Sequence, residues 1–143
     1  VRAGVLDCIA TDHAPHSRDE KALPFEQAPF GTTGFETSFA ATYTELVLGH
    51  GLPLSRLIYL MTAGAELCGI EPAKLQEGAP ADLCLVDLER RWIVGEHGYV
   101  SKSANCAFDG HELQGKVLAT ICHGSVAHRD ETLANTLDPA GAR

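Results

Sequence analysis

A short apolar run over residues 5–11 stops abruptly at Asp12-His13-Ala14-Pro15-His16, and an aperiodic stretch over 13–34 follows it. Val5, Leu6 and Ile9 lie in a largely apolar segment, which predicts a strand covered on both faces, as in a parallel α/β sheet. Pro15, Pro24 and Pro29 exclude a continuous helix beyond it. A connection of that length inside a compact domain is uncommon unless it works at a site. A strand that delivers its last residues into a long polar loop therefore sets both the fold class and the place to look for chemistry.

The rest of the chain fits that start. Phe35, Phe39, Tyr43, Leu46 and Val47 recur at spacings of three and four, predicting a helix over roughly 35–48 with Gly49 and Gly51 placed for its C-terminal cap. Pro53 suits a first helical turn, and Leu54, Leu57, Ile58 and Met61 repeat the apolar stripe. Thr62 is placed to cap a further short helix that stops at Gly69. The texture changes near residue 71. DLCLVDLERRWIV alternates like strand, and KVLATICHGSVAHRD reads as a hairpin with His123-Gly124 near its turn. The expected organisation is the end of an α/β unit over 1–70, part of a small β module over 71–131, and a frayed tail over 132–143.

Bulk properties narrow the function classes. The 143 residues suffice for one domain with a real core, and 45% hydrophobic with 21% charged residues is a globular composition. A net charge of -8 argues against a nucleic-acid or anionic-membrane binder. Five cysteines at 8, 68, 84, 106 and 122, with no Cys-x-x-Cys, predict scattered buried thiols in a reducing, cytoplasmic setting. No apolar run reaches the ~20 residues of a membrane span. The chain starts at Val1 with strand-like residues and no Met, and is therefore expected to begin inside a domain of a longer protein.

Asp12 is the leading candidate for chemistry. A carboxylate at a strand's C-terminal end can ligate a cation such as Zn²⁺ and shuttle a proton to and from a reacting water. The same residue could equally cap the following turn, because Asp is common there. His13 and His16 are three apart, but Pro15 argues against a shared helical face. His50 follows a helix end, and His97, His111, His123 and His128 read as surface or turn residues.

IATDHAPH over 9–16, Glu20-Lys21, APFG over 28–31 and GFET over 34–37 together resemble the dihydroorotase family of the amidohydrolase superfamily. The resemblance continues through Gly78-Ala79-Pro80-Ala81-Asp82-Leu83, then Ser101-Lys102-Ser103-Ala104-Asn105 and Phe108-Asp109-Gly110, so it covers nearly all of 5–128. Ala107 stands where the family usually has Pro, and Thr62-Ala63-Gly64-Ala65 lacks its usual Asn-Pro. The resemblance implies the last strand and helices of a (β/α)8 barrel followed by part of a β-sandwich. It implies reversible zinc-dependent hydrolysis of dihydroorotate to N-carbamoyl-L-aspartate in pyrimidine biosynthesis. Asp12 would be both metal ligand and general acid/base, and His16, Phe30 and Gly31 would bind substrate. For Phe30, simple loop packing stays open, and for His13 the resemblance implies no role; a structural hydrogen bond is expected there. The whole enzyme would hold two zinc ions. Most of their ligands, including a His-x-His pair and a bridging lysine, would lie in an absent N-terminal part of the barrel, leaving this chain inactive alone. A hydantoinase or allantoinase, or a non-catalytic homologue that serves as structural partner of aspartate transcarbamoylase, are the alternatives.

Overall fold

The computed structural model describes residue 1 and residues 3–134. In chain order the elements are α1 (Arg18–Lys21), α2 (Ser38–Thr42) continuing as a π-wound segment (Tyr43–Gly49), α3 (Leu54–Thr62), α4 (Gly64–Leu67), β1 (Leu83–Ile93), β2 (Glu112–Cys122), β3 (Ser125–Arg129) and α5 (Glu131–Ala134).

The expected strand over 5–11 does not form. A strand exists by its ladder, and among the described residues this segment has no ladder partner. It is tied down instead by Ile9 N–H donating to the Leu60 carbonyl at 2.8 Å and by Arg56 reaching the Leu6 carbonyl at 3.4 Å. Val5 and Leu6 remain exposed, at 77% and 51%.

Within the long loop, α1 is a single helical turn closed by a capping box. The Ser17 hydroxyl accepts from Glu20 N–H, and the Glu20 carboxylate accepts from Ser17 N–H. The predicted helix over 35–48 begins later, at Ser38, because Phe35–Thr37 form a turn. Phe35 leaves the apolar stripe and stacks on His13 with ring centroids 4.1 Å apart. From Tyr43 the helix widens to π winding. It ends at Gly49, and just past it the Gly51 and Leu52 N–H groups close onto the Val47 and Leu46 carbonyls. After Pro53, α3 buries Leu57 and Leu60 completely. Ile58, expected inside, is exposed, and Leu60 takes its place on the buried face. Thr62 does not cap α4; its hydroxyl donates back to the Ile58 and Tyr59 carbonyls within α3.

The sheet is antiparallel in the order β1-β2-β3. β1 and β2 pair from Leu83↔Ile121 to Ile93↔Glu112, with irregularities after Leu85 and Asp87. At the second, the Asp87 carboxylate accepts Glu89 and Arg90 N–H groups. The β2–β3 hairpin turns through His123 and Gly124, both at positive φ (47° and 81°), as a two-residue primed turn requires.

Two apolar clusters hold the molecule. Tyr43, Leu52, Leu57 and Leu60 form one, onto which Val1 and Ile9 pack; Ala40, Val94 and Leu113 form the other, joined by Trp92, Tyr99 and Phe108. The second cluster seats α2 directly on the sheet. Thr44 in the π-wound segment exchanges hydrogen bonds with Gln114 of β2, at 3.2 and 2.9 Å. The chain expected to fray from 132 starts with a helical turn, α5, anchored by Leu133 N–H on the Asp130 carbonyl; residues 135–143 lie outside the described part.

Candidate functional site

Three of the four candidate site residues meet. Loop 12–16 runs beside loop 29–34 through a parallel bridge, His13↔Thr32, with Ala14 N–H donating to the Thr32 carbonyl at 2.9 Å. The His16 ring donates from Nε2 to the Phe30 carbonyl at 2.8 Å. In the neutral form that bond leaves Nδ1 an acceptor, and this nitrogen lies 4.0 Å from a Glu20 carboxylate oxygen. Gly31 sits at φ 124°, a conformation L side chains rarely adopt. A Cβ there would lie 2.5 Å from the Ala14 Cβ and 3.2 Å from His16 Nε2. Only glycine lets the two loops approach this closely. Lys21 straps the second loop from outside, its Nζ donating to the Pro29 and Gly31 carbonyls at 3.0 and 3.2 Å. Phe30 itself is 92% exposed, so its ring does not serve loop packing among the described residues.

Asp12 stands apart. It adopts φ 45°, the left-handed region that costs a non-glycine residue energy, although Asp tolerates it better than most. Its side chain is exposed and makes no hydrogen bond or ion pair among the described residues. It therefore does not cap the turn that follows. A free carboxylate on a strained backbone fits a ligand-facing role, and it can supply one oxygen to a cation. A zinc site needs at least three protein ligands, so the remainder would have to come from elsewhere.

His13 has a structural part. Its Nδ1 accepts from Gly34 N–H at 3.0 Å and Phe35 N–H at 3.3 Å, which fixes the neutral ring with its proton on Nε2. Sequence reasoning left it without a specific role; the structure gives it the start of α2 to hold.

The residue that sequence reasoning missed is Asn105. It joins both loops from a segment far along the chain, accepting from His16 N–H and donating to the Ala14 and Gly31 carbonyls. The Ser101-Lys102-Ser103-Ala104-Asn105 motif was visible, but nothing local says where it goes.

Beside these residues lies an open cleft of about 480 Å³ whose walls include His16, Arg18, Lys21, Lys102 and Asn105. Three cations against one carboxylate in its walls, Asp109, which accepts from the Tyr99 hydroxyl, make the cleft locally attractive to an anion in a chain with net charge -8. Glu20 flanks it, its carboxyl held below the ordinary 4.5 chiefly by the Ser17 backbone and hydroxyl hydrogen bonds.

Among the described residues, one trio gathers metal-capable atoms within 4.8 Å: Asp82, Cys122 and His123. It is the closure of the β2–β3 turn. His123 N–H donates to the Asp82 carboxylate at 2.7 Å and Gly124 N–H to the Ala81 carbonyl at 3.0 Å, with Cys122 and His123 exposed. All five cysteines are free thiols, but none is fully buried, against expectation: Cys68, Cys84 and Cys122 are exposed, and Cys8 and Cys106 are half-buried. No described helix is long and apolar enough to cross a membrane.

No family model matches the chain. Solved structures define the class. A D-hydantoinase (dihydropyrimidinase) from Thermus sp. superposes with TM-score 0.78 and 28% identity, over 90% of this chain and 29% of that one. The L-hydantoinase (dihydropyrimidinase) of Arthrobacter aurescens gives TM-score 0.75 and 31% identity, over 89% and 30%. The chain thus has the fold of a segment of cyclic-amide hydrolases. Among curated proteins it is similar to dihydroorotases. It is 40% identical over 134 residues to that of Caldicellulosiruptor saccharolyticus and 42% identical over 130 residues to that of Bacillus cereus. It spans 31% and 30% of those two proteins' lengths.

Proposed function

We propose that the chain forms the substrate-binding side of a dihydroorotase, opening dihydroorotate to N-carbamoyl-L-aspartate and closing it again. The observation that carries this reading is the braced His16–Phe30–Gly31 cluster beside a basic cleft, next to an unengaged carboxylate at Asp12. The substrate is a small anion with ring amides. The exposed Gly31 backbone and the Phe30 ring suit its flat face, and the Arg18, Lys21 and Lys102 side chains in the cleft beside His16 suit its carboxylate.

In this reading Asp12 is one ligand of a zinc site, and zinc, when bound, polarises the amide carbonyl and acidifies water. Asp12 takes a proton on its carboxylate during ring opening and delivers it to the departing ring nitrogen; in the reverse direction it removes the amide proton. The companion ligands belong to a polypeptide corresponding to the part of the relatives that this chain does not span. That polypeptide completes a (β/α)8 barrel and covers Val5 and Leu6. The 143 residues alone bind zinc poorly and turn over nothing. The five free thiols agree with a cytoplasmic enzyme of pyrimidine synthesis.

Asp12→Asn in the zinc-loaded protein that carries this chain tests the reading. Asn tolerates the same backbone, so stability stays within about 0.5 kcal/mol, the range for exposed substitutions. Turnover of carbamoyl-aspartate falls by at least about 10², the share typical of a general acid/base. Full activity in the variant ends the proposal for Asp12. Hydantoinase activity is the second reading, favoured by the structural neighbours. Faster turnover of hydantoin than of dihydroorotate by the wild type selects it.

A further inference from the structure

Asn105 is 89 residues from His16 in sequence, yet its side chain is the meeting point of the candidate site. Its Oδ1 accepts from His16 N–H at 3.2 Å, and its Nδ2 donates to the Ala14 carbonyl at 3.0 Å and to the Gly31 carbonyl at 3.3 Å. Its own carbonyl accepts from Thr33 N–H at 3.0 Å and from the Thr32 hydroxyl at 2.9 Å. The Thr32 hydroxyl in turn accepts from Ala107 N–H at 2.8 Å. Five residues of two loops, 14, 16, 31, 32 and 33, are thus fixed against one residue. Two carbonyl partners demand donors and one N–H demands an acceptor, which only an amide side chain supplies together.

The segment that presents Asn105 is itself pinned. The Glu36 carboxylate accepts Val100 and Ser101 N–H groups at 3.0 and 2.9 Å. The Tyr99 hydroxyl donates to Asp109, and burial followed by that bond raises its pKa. Cys106 is bridged to Thr33. The three stretches over 12–16, 29–37 and 99–109 therefore form one connected unit.

We propose that Asn105 is the positioning residue of this site: it sets the separation between His16 and Gly31, and hence the fit of the anionic substrate. The proposal deepens the reading above and rests on it for the substrate, but not for the geometry. A purely architectural role would cost stability and leave substrate affinity alone. A positioning role separates KM from kcat.

The test is Asn105→Asp alongside Asn105→Leu, in the protein that carries this chain. Asp keeps the shape and the acceptor for His16 N–H but turns an oxygen toward both carbonyls; Leu keeps the volume and removes all three bonds. Two readouts are taken. Amide hydrogen exchange at Ala14, His16 and Thr33 reports the geometry without any substrate, and steady-state kinetics on dihydroorotate reports the fit. Expected are exchange faster by about fivefold or more at His16 in the Leu variant, which loses the hydrogen bond to its N–H, and, in both variants, KM raised at least as much with kcat changed less than threefold. Thermal unfolding identifies a Leu variant that fails to fold, in which case exchange at Ala14 and Thr33 in the Asp variant, which loses the bonds to the Ala14 and Gly31 carbonyls, decides. Unchanged exchange at all three amides overturns the positioning role whatever the substrate. Faster exchange with unaltered KM overturns the link to substrate fit. A wild type inactive on dihydroorotate, with loosened amides in the variants, refutes the functional reading and leaves the geometric one standing.

Discussion

Gly31→Ala isolates the closest approach in the site. The added methyl would lie 2.5 Å from the Ala14 Cβ, far inside van der Waals contact, and 3.2 Å from His16 Nε2. The backbone at φ 124° adds its own penalty for an L residue, on the order of 1–3 kcal/mol. Overpacking against a side chain with nowhere to go adds about 1–3 kcal/mol. The loop can relieve the clash by moving outward. That movement gives up the hydrogen bonds from Asn105 and Lys21 to the Gly31 carbonyl, roughly 1 kcal/mol each, so relief saves little. The expected destabilisation is about 2–6 kcal/mol, visible as a lower urea midpoint at constant slope. Gly98→Ala is the control. Gly98 has φ 80° but nothing within 4 Å of a built Cβ, so only the backbone penalty applies, about 1 kcal/mol. Equal destabilisation by the two substitutions would show that the contact between the loops contributes nothing, and the site geometry argued from it would fail. The same variant, assayed on dihydroorotate, should lose substrate affinity before it loses turnover.

Two further expectations concern the scaffold. Leu57→Ala removes a side chain that is wholly buried between α3 and the π-wound segment, and should cost about 2–5 kcal/mol in urea unfolding; a loss below 1 kcal/mol would mean the core there is not packed as described. Glu20 has a folded pKa below 4.5, so the capping box is at full strength above that value and is lost as pH falls through the lower folded value. An NMR titration of its carboxyl should show a midpoint under 4.5 that rises part of the way toward 4.5 in Ser17→Ala, which removes the hydroxyl bond and keeps the backbone one; a wild-type midpoint at or above 4.5 contradicts the box.

What could be read in the sequence was local. The His123-Gly124 turn follows from two residues that accept positive φ between alternating runs, and α3 follows from Pro53 and its apolar spacing. Ser17 and Glu20 carried the capping-box spacing of α1, but three prolines in the same stretch dominated the reading. The segment over 5–11 has strand composition and no strand, because ladder partners are a property of distant residues. The π winding after Tyr43 has no signature in spacing that a slightly shifted α-helix would not share. Asn105 was invisible for the same reason as the missing strand: its three side-chain bonds cross sequence separations of 74 to 91 residues.

The candidate site divides along one line. His16, Phe30 and Gly31 are braced entirely by residues of this chain, through Asn105, Lys21 and the bridge at Thr32. Asp12 is braced by nothing among the described residues and sits on a backbone that costs energy to hold. A binding surface gains from being prebuilt, since ordering it on contact would subtract from affinity. A metal ligand has no such need. The bond to the cation can offset the strain at φ 45°, and until that bond forms the carboxylate does best in water. On the proposed reading, the half of the site that recognises the ring is therefore complete within these residues, and the half that performs hydrolysis is assembled only when the remaining ligands close around Asp12.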